Sequence, residues 1–271
     1  MNETYDIYLC QVSETISCGA CCGLYNLPDL SREKLEILLA RRTKDFASVP
    51  RTEESIFEFQ RRNKGPHRLS RPFAQFHHCP FLGLVGDGKR RVGCLLHPAV
   101  PGNNGVDYRS LSWYGEMACR SYLCPTTRKL PGVYQEIVKQ CIDHWYDFGL
   151  IVTEYSLLTA YFKEVESRLG RPITLSDYGQ NLPAINALKE FTGLKSLWPY
   201  RRHDAPGPCN YFFENGLYPR PDVFRATPDI PLSTYEEILR ELDSGFLSAE
   251  EVEAADRLLA DLFLKAERAL L

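Results

Sequence analysis

The sequence has few of the features that mark membrane, secreted or disordered proteins. No run of about eighteen apolar residues occurs, which argues against a membrane-spanning helix. The first twenty residues lack a basic segment followed by a long apolar one, so we expect no secretory signal and a cytoplasmic location. Repeats and low-complexity tracts are also missing. Because 44% of the 271 residues are hydrophobic and 25% are charged, the composition is that of a folded globular protein.

Signatures of nucleotide binding and nucleophilic catalysis are missing too. Gly83-x4-Gly88-Lys89 begins like a phosphate-binding loop, but Arg90 stands where a Mg²⁺-binding Ser or Thr is needed. No Gly-x-Gly-x-x-Gly loop and no Ser-His-Asp or Cys-His arrangement is evident. A net charge of −3 gives no reason to expect nucleic acid as a partner. Whether the protein is an enzyme is left open by these patterns.

Cysteine is the residue type that the sequence uses unusually. The chain has ten cysteines, and in a reducing cytoplasm clustered thiols are better explained as metal ligands than as disulfides. Seven of them fall into four short segments of the first half of the chain: Cys18-x2-Cys21-Cys22, Cys79, Cys94, and Cys119-x4-Cys124. The Gly86-Asp87-Gly88 turn predicts a hairpin whose open end would bring Cys79 and Cys94 together.

These seven thiols suit zinc or an iron–sulfur cluster. Zinc takes four ligands in a tetrahedron, and an iron–sulfur cluster takes four thiolates. The residues leave open which of the two is bound and whether there is one centre or two. Adjacent side chains of an extended strand point in opposite directions, so Cys21 and Cys22 serve two centres or one of them only packs.

Three histidines and three further cysteines complete the inventory of possible ligands. His97 follows Cys94 at Cys-x2-His spacing, which makes it a candidate eighth ligand or a turn cap before Pro98. We expect His77 and His78 to be exposed on the surface; the alternative is that one of them contacts and orients a metal ligand. The remaining cysteines are left outside the site: Cys10 as part of a short strand, Cys141 as a core thiol and Cys209 as a loop residue.

The spacing resembles the YkgJ-like family of zinc- or iron-chelating cysteine-cluster proteins. The resemblance covers residues 16–125 and includes Cys79-x-Phe81-Leu82, Gly93-Cys94 and Cys119-Arg120-x-Tyr122-x-Cys124. Leu95-Leu96-His97-Pro98 replaces the Ile-Tyr and Arg-Pro of the family pattern. The resemblance implies metal chelation. Flagellin lysine methylases have a similar cluster, so a methyl-transfer role is implied by analogy.

We expect a mainly α protein with a small, loop-dominated cysteine module containing short strands. Residues 1–129 would form the metal-binding module and residues 130–271 a helical portion packed against it, as two domains or one continuous domain. Residues 131–149 read as one helix, and the final helices, over residues 233–271, are acidic enough to contact a protein partner. Two function classes follow: a metal centre active in redox or methyl-transfer chemistry, or a structural metal site that stabilises a helical interaction module without catalysis.

Overall fold

A computed structural model describes residues 8–64, 70–209, 216–218 and 220–271. Helices dominate and the strands are short, so the prediction of a mainly α fold with a little β-structure is confirmed. The chain divides into two compact units. The first combines residues 8–124 with residues 144–149, and the second combines residues 125–143 and 150–271. Among the described residues, no helix is both long and apolar enough to cross a membrane.

The unit of residues 8–124 is built on two helices and a hairpin. Its elements are a 3₁₀ turn (Ala20–Cys22), α1 (Arg32–Ala47), α2 (Glu53–Arg62), β1 (Leu82–Val85), β2 (Arg91–Cys94), two further 3₁₀ turns (Pro101–Asn103 and Arg109–Leu111) and α3 (Gly115–Ser121). β1 and β2 pair antiparallel, with Leu82 opposite Cys94, so the predicted hairpin is confirmed. The same pairing makes residues 91–94 a strand, which agrees with the rejection of a phosphate-binding loop.

The core of this unit lies between α1, α2 and the hairpin. Phe59 stacks on Phe81 with ring centroids 5.8 Å apart, and Phe46 meets both rings edge to face. Thr43 of α1 bonds to β1, accepting from the amide of Leu84 at 2.7 Å. Much of the remaining chain is loop and turn. The unit therefore has a small aromatic core and long stretches with few regular backbone hydrogen bonds.

The second unit is helical. It contains α4 (Thr126–Lys129), α5 (Gly132–Cys141), α7 (Tyr155–Leu169), α8 (Leu175–Tyr178), α9 (Leu182–Leu197), β3 (Phe224–Arg225), α10 (Glu236–Glu241), β4 (Gly245–Phe246) and α11 (Ala249–Leu270), while α6 (Trp145–Ile151) has residues in both units. Rings from α7, α9 and α11 form its centre: Tyr161, Phe191 and Phe263, with centroids 4.5 to 5.7 Å apart.

One helix predicted from the sequence is wrong in its extent. The segment 131–149, predicted as one helix, contributes to two helices, α5 and α6, because Ile142 takes an extended backbone (φ −94°, ψ 120°) that ends α5. The next long helix, α7, ends at Gly170, whose φ of +65° suits glycine.

Candidate metal centre

All seven predicted cysteine ligands lie in the same compact unit. In the residues that the structure describes, however, no three His, Cys, Asp or Glu side chains are arranged so that they could hold a metal ion. The thiols are neighbours without converging on one point. The hydrogen bonds around each thiol, and the effect of each thiol on the pKa of the others, indicate which thiols are neighbours.

Three of the thiols sit in the same kind of turn. The sulfur of Cys18 accepts a hydrogen bond from the amide of Ala20 at 3.4 Å. The sulfurs of Cys79 and Cys94 likewise accept from the amides two residues further on, Phe81 and Leu96, and each bond lowers the pKa of its thiol. An N–H group aimed at sulfur stabilises the thiolate, which is the form that binds metal.

The backbone joins the segments that carry these turns. The amide of Cys18 donates to the carbonyl of Cys10 at 2.9 Å, and the amide of Cys79 donates to the carbonyl of Cys22 at 2.9 Å. Gly23 then packs against the backbone of residues 77–78. A Cβ at Gly23 would lie 2.0 Å from the carbonyl oxygen of His77, and its φ is +77°. Only glycine fits this approach, which keeps the first cysteine segment against the second, the segment of Cys79.

The thiols fall into two groups of four, according to which thiols raise the pKa of which others. Burial, together with the thiols of Cys21 and Cys124, raises the pKa of Cys10 to about 12. Burial also raises the pKa of Cys18 well above its ordinary value, again with contributions from Cys21, Cys10 and Cys124. These four residues form the first group.

The second group comprises Cys22, Cys79, Cys94 and Cys119. Burial raises the pKa of Cys79 to about 12 and that of Cys94 to about 11, and in both cases a charge at Cys119 contributes. The thiols of Cys79 and Cys94 also raise the pKa of Cys22, which places Cys22 in the same group. The sulfur of Cys119 lies 3.0 Å from the hydroxyl oxygen of Ser112. Arg42 also influences Cys79, and Arg109 and Asp107 influence Cys94, so this group has charged side chains as well as thiols for neighbours.

The two groups meet at the adjacent residues Cys21 and Cys22. Their side chains share a hydrogen bond, which lowers the pKa of Cys21 and raises that of Cys22. Cys21 is exposed, whereas Cys79 of the second group is buried. The first group therefore has an edge open to solvent, and the exposed side chains of Tyr8 and Tyr122 lie close enough to these thiols for the thiols to raise their pKa.

Cys10 is a member that the sequence-based prediction left out. Its carbonyl is tied to Cys18, and residues 11 and 17 form a β-bridge that closes the intervening loop. The available signal was its position eight residues before Cys18, close enough for a short antiparallel bridge. Cys141 and Cys209 both lie in the other unit and are buried.

The histidines near the thiols take different positions. The Nδ1 atom of His97 accepts from the amide of Ala99 at 3.1 Å, which is the turn-capping contact considered from the sequence. His78 is buried, with 1% of its surface exposed, so the expectation of an exposed residue is wrong there. His77 is half-buried and stacks on Trp113 at 4.9 Å. His78 therefore belongs to the packing behind the thiols.

A groove between α1 and α2 is separate from this cluster. Its volume is about 600 Å³. Its charged lining residues are of both signs, Arg41 and Arg62 with Asp45 and Glu58, and no cysteine lines it. It offers no obvious chemistry of its own.

No protein-family model matches the chain, and no curated protein or solved structure is significantly similar to it. The interpretation of the site consequently depends on its own geometry.

Proposed function

We propose that this protein binds metal through its cysteine cluster, as two adjoining centres with four thiolates each. The first centre would use the group of Cys10, and the second the group of Cys79. The observation that carries this proposal is the repeated turn in which Cys18, Cys79 and Cys94 each accept an amide hydrogen bond from two residues further on. Buried neutral thiols need no such donors, whereas metal-bound thiolates gain from them.

The donor set suits a zinc-type ion best. Each group supplies four sulfur atoms, and four thiolates complete the tetrahedron of a closed structural zinc site. Two such centres would cross-link the loops that this unit otherwise leaves without regular structure. The metal would then stabilise the fold of residues 8–124. The resemblance to the YkgJ-like family points to the same chemistry, and His97 is not needed to complete either set.

A redox or methyl-transfer role is the second candidate, and one observation favours it. Cys21 is exposed, and its pKa is lowered by the hydrogen bond with Cys22, so this thiol combines access with thiolate character. If the first group held an iron–sulfur cluster, electrons could enter at this edge. The cluster would be brown and would release sulfide on acidification.

Anaerobic purification followed by metal and acid-labile sulfide analysis separates these candidates. Two equivalents of zinc without sulfide would support two structural centres, and iron with sulfide would support the redox candidate. The variants Cys10→Ser and Cys79→Ser should each lower the metal content by one equivalent, while Cys209→Ser serves as the control. A wild-type chain without stoichiometric metal would refute both candidates.

A further inference from the structure

An arginine occupies the buried face of α1. The inward-facing residues of this helix are Leu35, Leu39, Arg42 and Phe46, at the spacing of an apolar helix stripe. Arg42 has only 1% of its surface exposed. Its neighbour Arg41 is exposed, as an arginine on a surface helix normally is. The guanidinium of Arg42 therefore lies where the helix pattern calls for an apolar side chain.

The hydrogen bonds of Arg42 run to neutral groups. One terminal nitrogen donates to the carbonyl of Cys79 at 3.3 Å and lies 2.9 Å from Nε2 of His78. The other terminal nitrogen donates to the carbonyl of Asn63 at 3.2 Å. Within the described residues, no carboxylate forms an ion pair with Arg42, and its Nε atom has no hydrogen-bond partner. A buried cation without a counter-charge is costly.

His78 extends this contact to the other cysteine segment. Its Nδ1 atom lies 2.7 Å from the carbonyl oxygen of Gly23, which can only accept a hydrogen bond. Nδ1 must therefore carry the proton, and Nε2 accepts from Arg42. The result is a chain of donors from Arg42 through His78 to Gly23, the residue that follows Cys22. It holds the segments of Cys22 and Cys79 together.

The second thiol group supplies the missing negative charge once it binds metal. A divalent ion held by four thiolates carries two negative charges in total, and arginine suits such a neighbour because it stays protonated when buried. A second arginine approaches from the opposite segment: Arg109 donates to the carbonyl of Cys119 at 3.2 Å. Arg109 shares the carboxylate of Asp107 with Arg120, so this trio has a net charge of one positive unit.

The described hydrogen bonds of the two arginines fall on the second thiol group. Arg42 donates to the carbonyl of Cys79 and Arg109 to the carbonyl of Cys119. Among the described residues, neither arginine donates to Cys10, Cys18 or Cys21. The two centres should therefore differ in how firmly they hold metal.

We propose that Arg42, oriented by His78, is a positioning residue that balances the charge of the metal centre formed by Cys22, Cys79, Cys94 and Cys119. This inference rests on the proposed function. It predicts that the second centre holds its ion more firmly than the first, and that this advantage depends on Arg42.

The test compares Arg42→Met with Arg41→Met in the full-length chain. Both changes remove one arginine from adjacent positions of α1, but only Arg42 contacts the cysteine segments. In zinc-loaded protein mixed with a chromogenic chelator, the wild type should release one ion quickly and one slowly. Arg42→Met should accelerate the slow phase about 10–100-fold, the usual cost of losing a group that supports metal ligands. Arg41→Met should leave both phases unchanged.

The variant Arg42→Lys covers the case in which Arg42→Met does not fold. Lysine keeps the charge but cannot donate to all three acceptors at once, so the slow phase should accelerate less than in Arg42→Met. In protein loaded with cadmium-113, one of two resonances should move and the other stay in place. A general loss of packing would not act on one resonance selectively.

The outcomes separate the two proposals. Wild-type protein that takes up neither zinc nor cadmium would overturn the proposed function and this inference with it. Two bound ions whose release rates and resonances are the same in wild type, Arg42→Lys and Arg42→Met would overturn the role of Arg42 alone.

Discussion

Two buried arginines, one in each compact unit, differ in the counter-charges that surround them. Arg220 lies 3.0 Å from Glu154 and 2.6 Å from Asp243, and Lys195 pairs with the same Glu154 at 2.7 Å. Arg42 donates only to neutral acceptors among the described residues. In the helical unit the chain supplies its own counter-charges. In the cysteine unit we infer that metal-bound thiolates supply them.

The difference has a consequence for folding. A buried ion pair exists as soon as the chain folds, whereas a thiolate centre exists only when the ion is present. The helical unit should therefore fold from its own sequence. The cysteine unit, with its small aromatic core around Phe59 and Phe81, should depend on metal.

Removing metal should have the largest effect and should act on one unit only. Structural zinc contributes about 10–16 kcal/mol of apparent free energy in small zinc peptides, enough to decide whether a loop-rich unit folds. Treatment with a strong chelator under reducing conditions should abolish amide protection in residues 8–124 and preserve it in α7, α9 and α11. Hydrogen exchange measured by mass spectrometry checks this. Equal loss of protection in both units would remove the contrast between them.

Breaking the buried ion pairs should destabilise the helical unit and leave the metal content unchanged. Glu154→Gln leaves Lys195 and Arg220 buried without their shared carboxylate, which should cost about 3–5 kcal/mol of unfolding free energy in the helical unit. The metal content should not change. The exposed Glu237→Gln is the matched control and should change neither quantity. Urea unfolding together with metal analysis provides both measurements, and loss of metal from Glu154→Gln would contradict the independence of the units.

The stability of the helical unit should depend on pH because of Glu241. Burial, followed by the negative charge of Glu154, raises the pKa of Glu241 to about 7, although Arg220, Lys195 and Tyr218 oppose the shift. The folded state then binds more protons than the unfolded state between pH ~4.5 and 7, so stability falls as pH rises through this window.

The size of this pH effect follows from the shift. It amounts to at most about 3 kcal/mol for Glu241. Glu241→Gln should remove this contribution, so the variant should lose less stability than wild type between pH 5 and 7.5 in urea titrations. An unchanged slope in the variant would mean that Glu241 is ionised throughout.

The smallest effect is expected at a cysteine outside the cluster. Cys141 is buried in α5 of the helical unit, and Cys141→Ser should cost about 1–2 kcal/mol by burying a hydroxyl in place of a thiol. Metal content should stay at the wild-type value. Thermal unfolding and metal analysis on the same preparation test this, and a lost equivalent of metal would place Cys141 among the ligands.

Local signals in the sequence predicted the local structure well. Gly86 and Gly88 specified the hairpin between β1 and β2, because a tight turn needs no distant partner. The break after α5 was missed, since Ile142 has no breaker residue beside it and is buried by tertiary contacts. The helix pattern alone continues through this position.

The cysteine cluster shows the limit of such local signals. Spacing brought seven cysteines to attention, but Cys10 joins them through backbone pairing across the loop of residues 11–17, which spacing does not encode. The burial of Arg42 could not be predicted, because in the sequence Arg42 is simply one of two adjacent arginines on a helix. Its burial depends on how α1 packs against the hairpin and on the position of His78.

X-ray absorption spectroscopy on the metal of the purified protein tests the thiolate centres most directly. Two closed four-thiolate sites predict a first shell of four sulfur atoms at about 2.3 Å and no lighter scatterer, with two ions per chain. Cys10→Ser should lose one of the two ions and leave the shell of four sulfur atoms around the other unchanged. A first shell of nitrogen and oxygen atoms in the wild type, or a chain without bound metal, would contradict the assignment of the cysteines as ligands.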